Sequence, residues 1–249
     1  MPTSLPMTWL DLTFGTPAEN LACDEALLER AELEGGPGIL RFWEPTQYFV
    51  VLGYGKKAEE EANLVACRAE GVPILRRCSG GGTVLQGPGC LNYSLILPLE
   101  TDVALHSITS ANCFIMKRQR NALEKLLARP VTIEGHTDLA LDDVKFSGNA
   151  QRRKRDWLLF HGTLLLDFDL ARIGRLLLPP PLQPAYRRQR SHENFLTCLR
   201  IEAGAVRSAL SEAWQADALS LKLPTALIKR LVAERYGRQE WNLRTASEG

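Results

Sequence analysis

The amino-acid sequence predicts an α+β fold built on an antiparallel or mixed sheet, and three observations carry that reading. Thr16-Pro17-Ala18-Glu19 is a capping box with proline at the first helical position, and Leu21, Ala22, Ala26, Leu27 and Ala31 follow at helical spacing up to Gly35-Gly36. Short β-type runs come next, at 39–43, 48–52, 74–77 and 91–97. A second series lies at 131–134, 139–141, 144–146 and 157–166, with no helix between its members. Strands that neighbour one another in this way form antiparallel or mixed sheets, the α+β class.

Taken in order, the stretch 58–70 predicts a weaker helix before the third strand. Leu91-Asn92-Tyr93-Ser94-Leu95-Ile96-Leu97 alternates as a strand does, and Gly87-Pro88-Gly89 makes the turn into it. A long helix is expected over 108–128. Asp142-Asp143 reads as a hairpin turn and 152–156 as an exposed connection. From Pro179-Pro180-Pro181 onward the texture changes to loop and then to two amphipathic helices near 202–213 and 224–236, the second closed by Gly237. Residues from about 182 to 249 are therefore expected to form a helical cap on a single domain spanning 1–249, with no internal repeat, low-complexity segment or clean linker.

A chain of 249 residues with 45% hydrophobic and 24% charged residues can bury one substantial core. Its formal net charge of +1 argues against a general nucleic-acid binder, which needs many uncompensated cations against phosphate. No apolar run approaches the roughly 20 residues of a membrane span, and Met1-Pro2-Thr3-Ser4-Leu5-Pro6 lacks the features of a signal peptide. The expected location is the cytoplasm. Six cysteines, Cys23, Cys67, Cys78, Cys90, Cys113 and Cys198, are scattered singly and are expected to be buried reduced thiols rather than metal ligands.

Two motifs carry the chemistry. Arg76-Arg77-Cys78-Ser79-Gly80-Gly81-Gly82 ends an apolar run, and Val144-Lys145-Phe146-Ser147-Gly148-Asn149-Ala150-Gln151 sets a lysine in a β-rich segment. Each places a cation beside a glycine turn, whose backbone N–H groups can turn toward an anion. Neither a G-x-x-x-x-G-K-[ST] loop nor a G-x-G-x-x-G fingerprint is present, and a glycine hairpin between strands is the plain alternative for the first motif. What distinguishes the chain is the ordered set. Arg76-Arg77-x-Ser79-Gly80-Gly81-Gly82 is followed by Leu91-Asn92-Tyr93-Ser94, Gly135-x-x-Asp138-Leu139, Lys145-x-Ser147-Gly148-x-Ala150-Gln151-Arg152-Arg153 and His161-Gly162-Thr163-Leu164-Leu165.

This set resembles the lipoate-protein ligase A family, within the wider biotin/lipoate ligase and octanoyltransferase group, from about Asn20 to Leu170. The resemblance implies a mixed sheet flanked by helices, as in the biotin ligase catalytic domain. It also implies activation of lipoic acid by MgATP to lipoyl-adenylate, then transfer of the acyl group to a lysine of an acceptor's lipoyl domain. A 2-oxoacid dehydrogenase subunit or a glycine cleavage H protein would be such an acceptor.

A carboxylate attacking an α-phosphate brings two anions together, so a cation must stand between them, and Lys145 is the candidate. Its ammonium has three donors to share. Arg76, Arg77, Ser79 and the backbone of Gly80, Gly81 and Gly82 would line the ligand and phosphate pocket, one arginine facing solvent because strand neighbours point to opposite sides. Asn92, Ser147, Gly148, Ala150, Gly162 and Thr163 complete the set carried over from the family. Asp138 is read as a ligand of Mg²⁺ or of the adenylate ribose, or as a plain turn aspartate. His161 is read as pocket-lining or loop-ordering, or as a satisfied core histidine. The clusters Arg152-Arg153-Lys154-Arg155 and Arg187-Arg188-Gln189-Arg190 are solvated faces, or they steer an acidic acceptor.

The chain departs from the family pattern in three places. Gln86-Gly87 stands where the family shows His-Asp, so a polar pair is missing. Gly135-His136-Thr137-Asp138-Leu139 replaces Gly-Arg-Asn-Asp-Leu. The sequence also stops after Arg238-Gln239-Glu240-Trp241-Asn242-Leu243, about where longer members begin an accessory domain, so none is expected here and a separate small subunit is an alternative. The rival reading is an octanoyltransferase, which needs a nucleophilic cysteine. No cysteine lies between Cys113 and Cys198, which favours the ATP-dependent ligase. A non-catalytic lipoyl-binding protein is a third reading, and a biotin ligase is disfavoured by the Lys-x-Ser-Gly-x-Ala-Gln form.

Overall fold

The computed structural model describes residues 6–180, 182–218 and 221–244. Eleven strands form two sheets among these residues. The strands are β1 (Met7–Asp11), β2 (Gly38–Trp43), β3 (Phe49–Leu52), β4 (Ile74–Arg76), β5 (Val84–Gln86), β6 (Cys90–Pro98), β7 (Thr132–Glu134), β8 (Asp138–Leu141), β9 (Val144–Arg153), β10 (Trp157–Leu165) and β11 (Ala216–Asp217). The large sheet runs β11-β1-β2-β6-β10-β9-β8-β7 and the small one β4-β3-β5. Pairs β1–β2, β1–β11 and β3–β4 are parallel and the rest antiparallel, so the sheet is mixed and the fold α+β.

Helix α1 (Pro17–Glu34) begins where the capping box places it. The Thr16 side chain accepts from the Glu19 backbone N–H at 3.2 Å and the Glu19 carboxylate accepts from the Thr16 N–H at 3.2 Å. This helix is the crossover that the parallel β1–β2 pair requires, and β1 is a strand the sequence reading did not find. The stretch 58–70 is two helices rather than one, α2 (Ala58–Glu61) and α3 (Leu64–Ala69). Ala62 turns extended between them to bridge Leu177, and Asn63 caps α3 by accepting from the Ala66 N–H at 3.1 Å. The long helix α4 (Ile108–Leu127) matches its expected span to within one residue. Asp142 and Asp143 both take positive φ, 48° and 63°, as a tight hairpin turn demands.

Strand β9 runs to Arg153, through the Ser147-Gly148 turn and the first residues of the connection expected at 152–156. Its ladder with β10 is continuous from Ser147↔Leu164 to Arg153↔Leu158, and that pairing outweighs the poor strand propensity of glycine and asparagine. The tail expected as one helical cap divides between the two faces of the large sheet. Three short helices, α5 (Leu170–Leu176), α6 (His192–Phe195) and α9 (Gln239–Asn242), were not expected. Helix α7 (Ala203–Trp214) lies over α4, whereas α8 (Thr225–Leu231), continued by a π-helical turn at Val232–Tyr236, packs on α1. Pro181 of the Pro-Pro-Pro run lies outside the described residues, as do 1–5, 219–220 and 245–249.

Alternation along the strands of the large sheet divides its apolar residues between two clusters, and a third gathers Val50, Leu52 and Leu85 of the small sheet with α5. Leu40, Phe42, Leu95, Leu97, Leu158 and Phe160 face α4 and α7, and Ile39, Trp43, Ile96, Trp157 and Leu159 face α1 and α8. On this second face Arg41 is fully buried against Asp24 of α1, Nη1 to Oδ1 at 2.5 Å; its two terminal nitrogens also reach Asn20 O (2.9 Å), Asn20 Oδ1 (2.8 Å) and Leu12 O (3.0 Å), while Nε is left without a partner. Truncating one member of a buried pair strands the other charge. Arg41→Ala should therefore cost about 3–5 kcal/mol in urea unfolding. A loss under about 1 kcal/mol would show that water reaches Asp24 freely.

Candidate active site

Register places two polar rows on the α1 face of the sheet. His161, Ser94 and Arg41 stand side by side on β10, β6 and β2, and Thr163, Asn92 and Trp43 form the next row. Asp24 closes the first row. Ser94 Oγ donates to its Oδ2 at 2.7 Å, and His161 Nδ1 lies 3.6 Å from the same oxygen. Burial raises the Asp24 carboxyl, but Arg41, His161 and Ser94 together hold it below the usual carboxylate range. Burial pushes His161 below its ordinary value against the pull of Asp24, so the ring is neutral near pH 7. With Nδ1–H toward Asp24, Nε2 accepts from the Ser79 hydroxyl at 2.6 Å, which ties the glycine loop to the sheet. His161 thus orders the loop as well as lining the cavity.

The two arginines of the first motif do different work, and neither faces solvent as one was expected to. Arg77 folds the loop: its guanidinium donates to Gly80 O and Gly82 O, both at 2.8 Å, and burial pulls its pKa down to about 10. Arg76 stands apart from the cavity. Its guanidinium donates to the carbonyls of Gly53, Tyr54 and Lys56 on one side and of Trp241, Asn242 and Arg244 on the other, clamping the C-terminal helix α9 to the turn after β3. Of the three glycines only Gly81 has positive φ, 89°, while a side chain at Gly80 or Gly82 would meet open space. The close approach that does demand glycine is Gly53, where a Cβ would overlap the carbonyl oxygen of Gly81.

The lysine motif lies across the cavity. Lys145 Nζ is 2.8 Å from Asp138 Oδ1, and both side chains are largely covered. A Cβ on Gly148 would come 2.8 Å from Nζ, so glycine leaves the space the ammonium occupies. Asn149 joins three elements: Tyr93 OH donates to its Oδ1 at 2.5 Å, its Nδ2 donates to Thr137 O at 2.6 Å, and Thr137 Oγ1 donates back to Asn149 O at 2.9 Å. A Cβ on Gly162 would overlap Asn149 Oδ1.

These groups surround a cavity of about 730 Å³. Arg77, Gly81, Gly82, Asn92, Asp138, Lys145, Ser147, Gly148, Ala150, His161, Gly162 and Thr163 line it, and Arg76, Ser79 and Gly80 do not. Sequence reasoning missed Asp24, Trp43, Gln86, Asn149 and the segment 182–196, whose Leu182, Pro184, Arg187, His192 and Phe195 cover one side. Asn149 sits inside the lysine motif, Gln86 stands out in the sequence only as a departure, and Arg187, expected on a solvated or acceptor-steering face, is buried. The three carboxylates at the cavity are engaged, Asp24 by Arg41, Glu61 by Lys56 at 2.8 Å and Asp138 by Lys145. Among the described residues no cluster of three acidic, His or Cys groups could hold a metal ion by itself; Asp138, which could share Mg²⁺ with nucleotide phosphates, is engaged by Lys145. No cysteine of the described residues lines the cavity. Cys23, Cys67, Cys78 and Cys90 are buried, but Cys113 is exposed and Cys198 half-buried, against the expectation that all six are buried. Burial pushes the Cys23, Cys78 and Cys90 thiols up to about 12.

Gly162→Ala should lower ligand affinity and stability together, since the added methyl must displace Asn149, while Gly82→Ala should change either by less than about twofold. Isothermal titration and melting of both variants would check this, and equal behaviour would refute the packing argument. Acid should also weaken the fold. His161 is depressed, and burial, Arg187 and Lys145 push His192 down to about 4. The unfolded chain therefore protonates first as pH falls through about 6.5, and the stability these neutral rings give is full above that pH and lost below it. The double variant His161→Gln/His192→Gln should show a flatter decline of urea midpoint between pH 7 and 5; an unchanged slope would assign the decline to other groups.

Comparison with known proteins places this site in a family. The family model for the lipoyl protein ligase A/B catalytic domain matches residues 16–216. A candidate lipoate-protein ligase A of Aeropyrum pernix is 38% identical over 172 residues, covering 68% of this chain and 61% of its own length. The octanoyltransferase LipM of Carboxydothermus hydrogenoformans is 27% identical over 95% of this chain and 99% of its own. The bipartite lipoate protein ligase of Thermoplasma acidophilum, solved in a study of that enzyme and its E2 lipoyl domain, superposes with a TM-score of 0.82 at 25% identity, covering 96% of each chain. A lipoate-protein ligase A solved with ATP bound gives 0.78 at 26% identity, covering 97% of this chain and 99% of its own. With its ordered motifs gathered around one cavity, the chain belongs to the lipoyl protein ligase A/B catalytic-domain family.

Proposed function

We propose that the chain is an ATP-dependent lipoate-protein ligase, and the observation that carries this reading is the cavity's reactive inventory. It holds an ammonium, Lys145, and among the described residues it holds no thiol. In the first step a lipoate or octanoate carboxylate oxygen attacks the α-phosphorus of ATP and pyrophosphate leaves. Lys145 offers its donors to both anions as they approach. The loop folded by Arg77 and tied by Ser79 to His161 brings the backbone of Gly81 and Gly82 to the same space. Leu21, Val51, Leu85 and Phe146 give the acyl chain apolar walls. In the second step the ε-amine of an acceptor lysine attacks the acyl carbon, AMP leaves and the amine loses a proton. Magnesium enters as the counter-ion of the nucleotide, and neither step runs through it.

The acceptor is proposed to be a lipoyl domain, of a 2-oxoacid dehydrogenase subunit or a glycine cleavage H protein, and the site of action the cytoplasm. Support comes from the structural neighbour of Thermoplasma acidophilum, described as a lipoate protein ligase with an E2 lipoyl domain of its own system. The second reading is an octanoyltransferase, favoured by the end-to-end alignment with LipM. It would require a thiolate. Burial raises Cys198, whose Sγ accepts from the Phe168 N–H at 3.3 Å, and Cys113 is exposed on α4.

One experiment separates the two: the chain mixed with lipoate, MgATP and a lipoyl domain, read by intact mass. A lipoyl group gained only with ATP supports the ligase, and an octanoyl group gained from an acyl-carrier thioester without ATP replaces it by the transferase. Lys145→Ala should remove about 10²–10³-fold of adenylate formation with the fold intact, the cost of one preorganised donor. Lys145→Arg should fail similarly, since a planar guanidinium does not substitute for a compact ammonium. A wild-type rate in the arginine variant would sink the role given to Lys145, and a cysteine-free chain that loses all transfer would sink the ligase.

A further inference from the structure

Both oxygens of Asp138 are engaged. Oδ1 holds Lys145 Nζ at 2.8 Å, and Oδ2 accepts from the Tyr186 hydroxyl at 2.7 Å. Tyr186 belongs to the segment that crosses the β8–β9 hairpin, and hydrogen bonds to hairpin carbonyls fix that crossing at both ends. Arg190 Nη2 donates to Asp143 O at 2.8 Å and to Tyr186 O at 2.9 Å, and the Thr197 N–H donates to Lys145 O at 2.9 Å. The Tyr186 ring rests against Phe195, centroids 5.1 Å apart, and near Gly135. Burial and the adjoining Asp138 carboxylate push the phenol well above its ordinary range, so it stays a protonated donor.

We propose that Tyr186 is a positioning residue for Lys145, acting through Asp138. An aspartate free to turn can grip an ammonium with both oxygens, and it then competes fully with any anion that enters. With Oδ2 held by the phenol, the carboxylate keeps Lys145 through Oδ1 alone. One of the three ammonium donors is used and two are left for anionic groups in the cavity. The carboxylate also offers less negative charge to the lysine, because part of it is already engaged by the phenol hydrogen bond. This inference rests on the reading of Lys145 as the cation that joins carboxylate and phosphate.

Tyr186→Phe keeps the ring and its packing and removes the hydroxyl. Adenylate formation from lipoate and MgATP should fall about tenfold in kcat, the scale of one hydrogen bond to a charged group, with KM for either substrate within about twofold. In an Asp138→Asn background the same change should cost less than about twofold, because a residue that acts through Asp138 has nothing left to act on. A second readout needs no turnover: Lys145 in the free chain should be reductively methylated more slowly in Tyr186→Phe, by about threefold, measured on its peptide by mass spectrometry. If wild type forms no acyl-adenylate while this labelling difference is present, the ligase reading falls and the positioning stands. A tenfold loss that adds in full to that of Asp138→Asn, or equal labelling of the two chains, would overturn it.

Discussion

The fold and the site hang on one buried carboxylate, Asp24, which arrives on the first helix and meets three strands at once. Arg41, Ser94 and His161 come from β2, β6 and β10, and each directs a polar atom at it. A charge this far from water is tolerable only when its partners are complete. That requirement fixes where α1 sits on the sheet and which residues of the three strands can lie opposite one another. It reaches further through His161, whose second nitrogen holds Ser79, so the glycine loop takes its place from the same ion. The apolar contacts of Leu27, Leu28, Ile96 and Leu159 supply bulk burial on this face, and the polar row supplies register.

Much of this was legible in the sequence, because local signals there agree with the tertiary outcome. The α1 capping box, the Asp142-Asp143 turn and the alternation of 91–97 each encode their element in a few residues. What escaped was set at long range. β1 is a strand because β2 is offered to it across a helix, and β9 passes through Gly148 because β10 completes its ladder. The same division holds in the site. Lys145, His161 and the glycines carry a recognisable pattern, but Asp24 is one acidic residue on a helix whose neighbours Glu25 and Glu29 read the same way. Arg76 shows the converse: the motif marks it, yet its donors go to carbonyls of the Gly53 turn and the C-terminal segment. A residue type in a motif names what must be present, not what it touches.

Three residues that depart from the pattern of the resemblance, Gln86, Gly87 and Thr137, are locally engaged. Gln86 stands where histidine is usual, and it is fully engaged: its Nε2 donates to Asn92 Oδ1 at 3.0 Å and to Thr163 Oγ1 at 3.1 Å, while Thr163 Oγ1 donates to Asn92 at 2.6 Å. The missing polar pair of the sequence reading is thus one polar group with two partners. Gly87, where aspartate is usual, has no room for any side chain, because the ring of Tyr48 lies where its Cβ would be. That ring is covered in turn by the Arg172 guanidinium at 4.4 Å, and Arg172 is held by Glu70 at 2.9 Å. Thr137, in place of asparagine, bonds Asn149 through its hydroxyl and its carbonyl. At each of these positions the residue present fills its volume or satisfies its polar groups. Among the described residues none of these three positions leaves a buried polar atom without a partner, and the functional question turns on the pair of ionic groups at the cavity, Lys145 and the Asp138 that holds it.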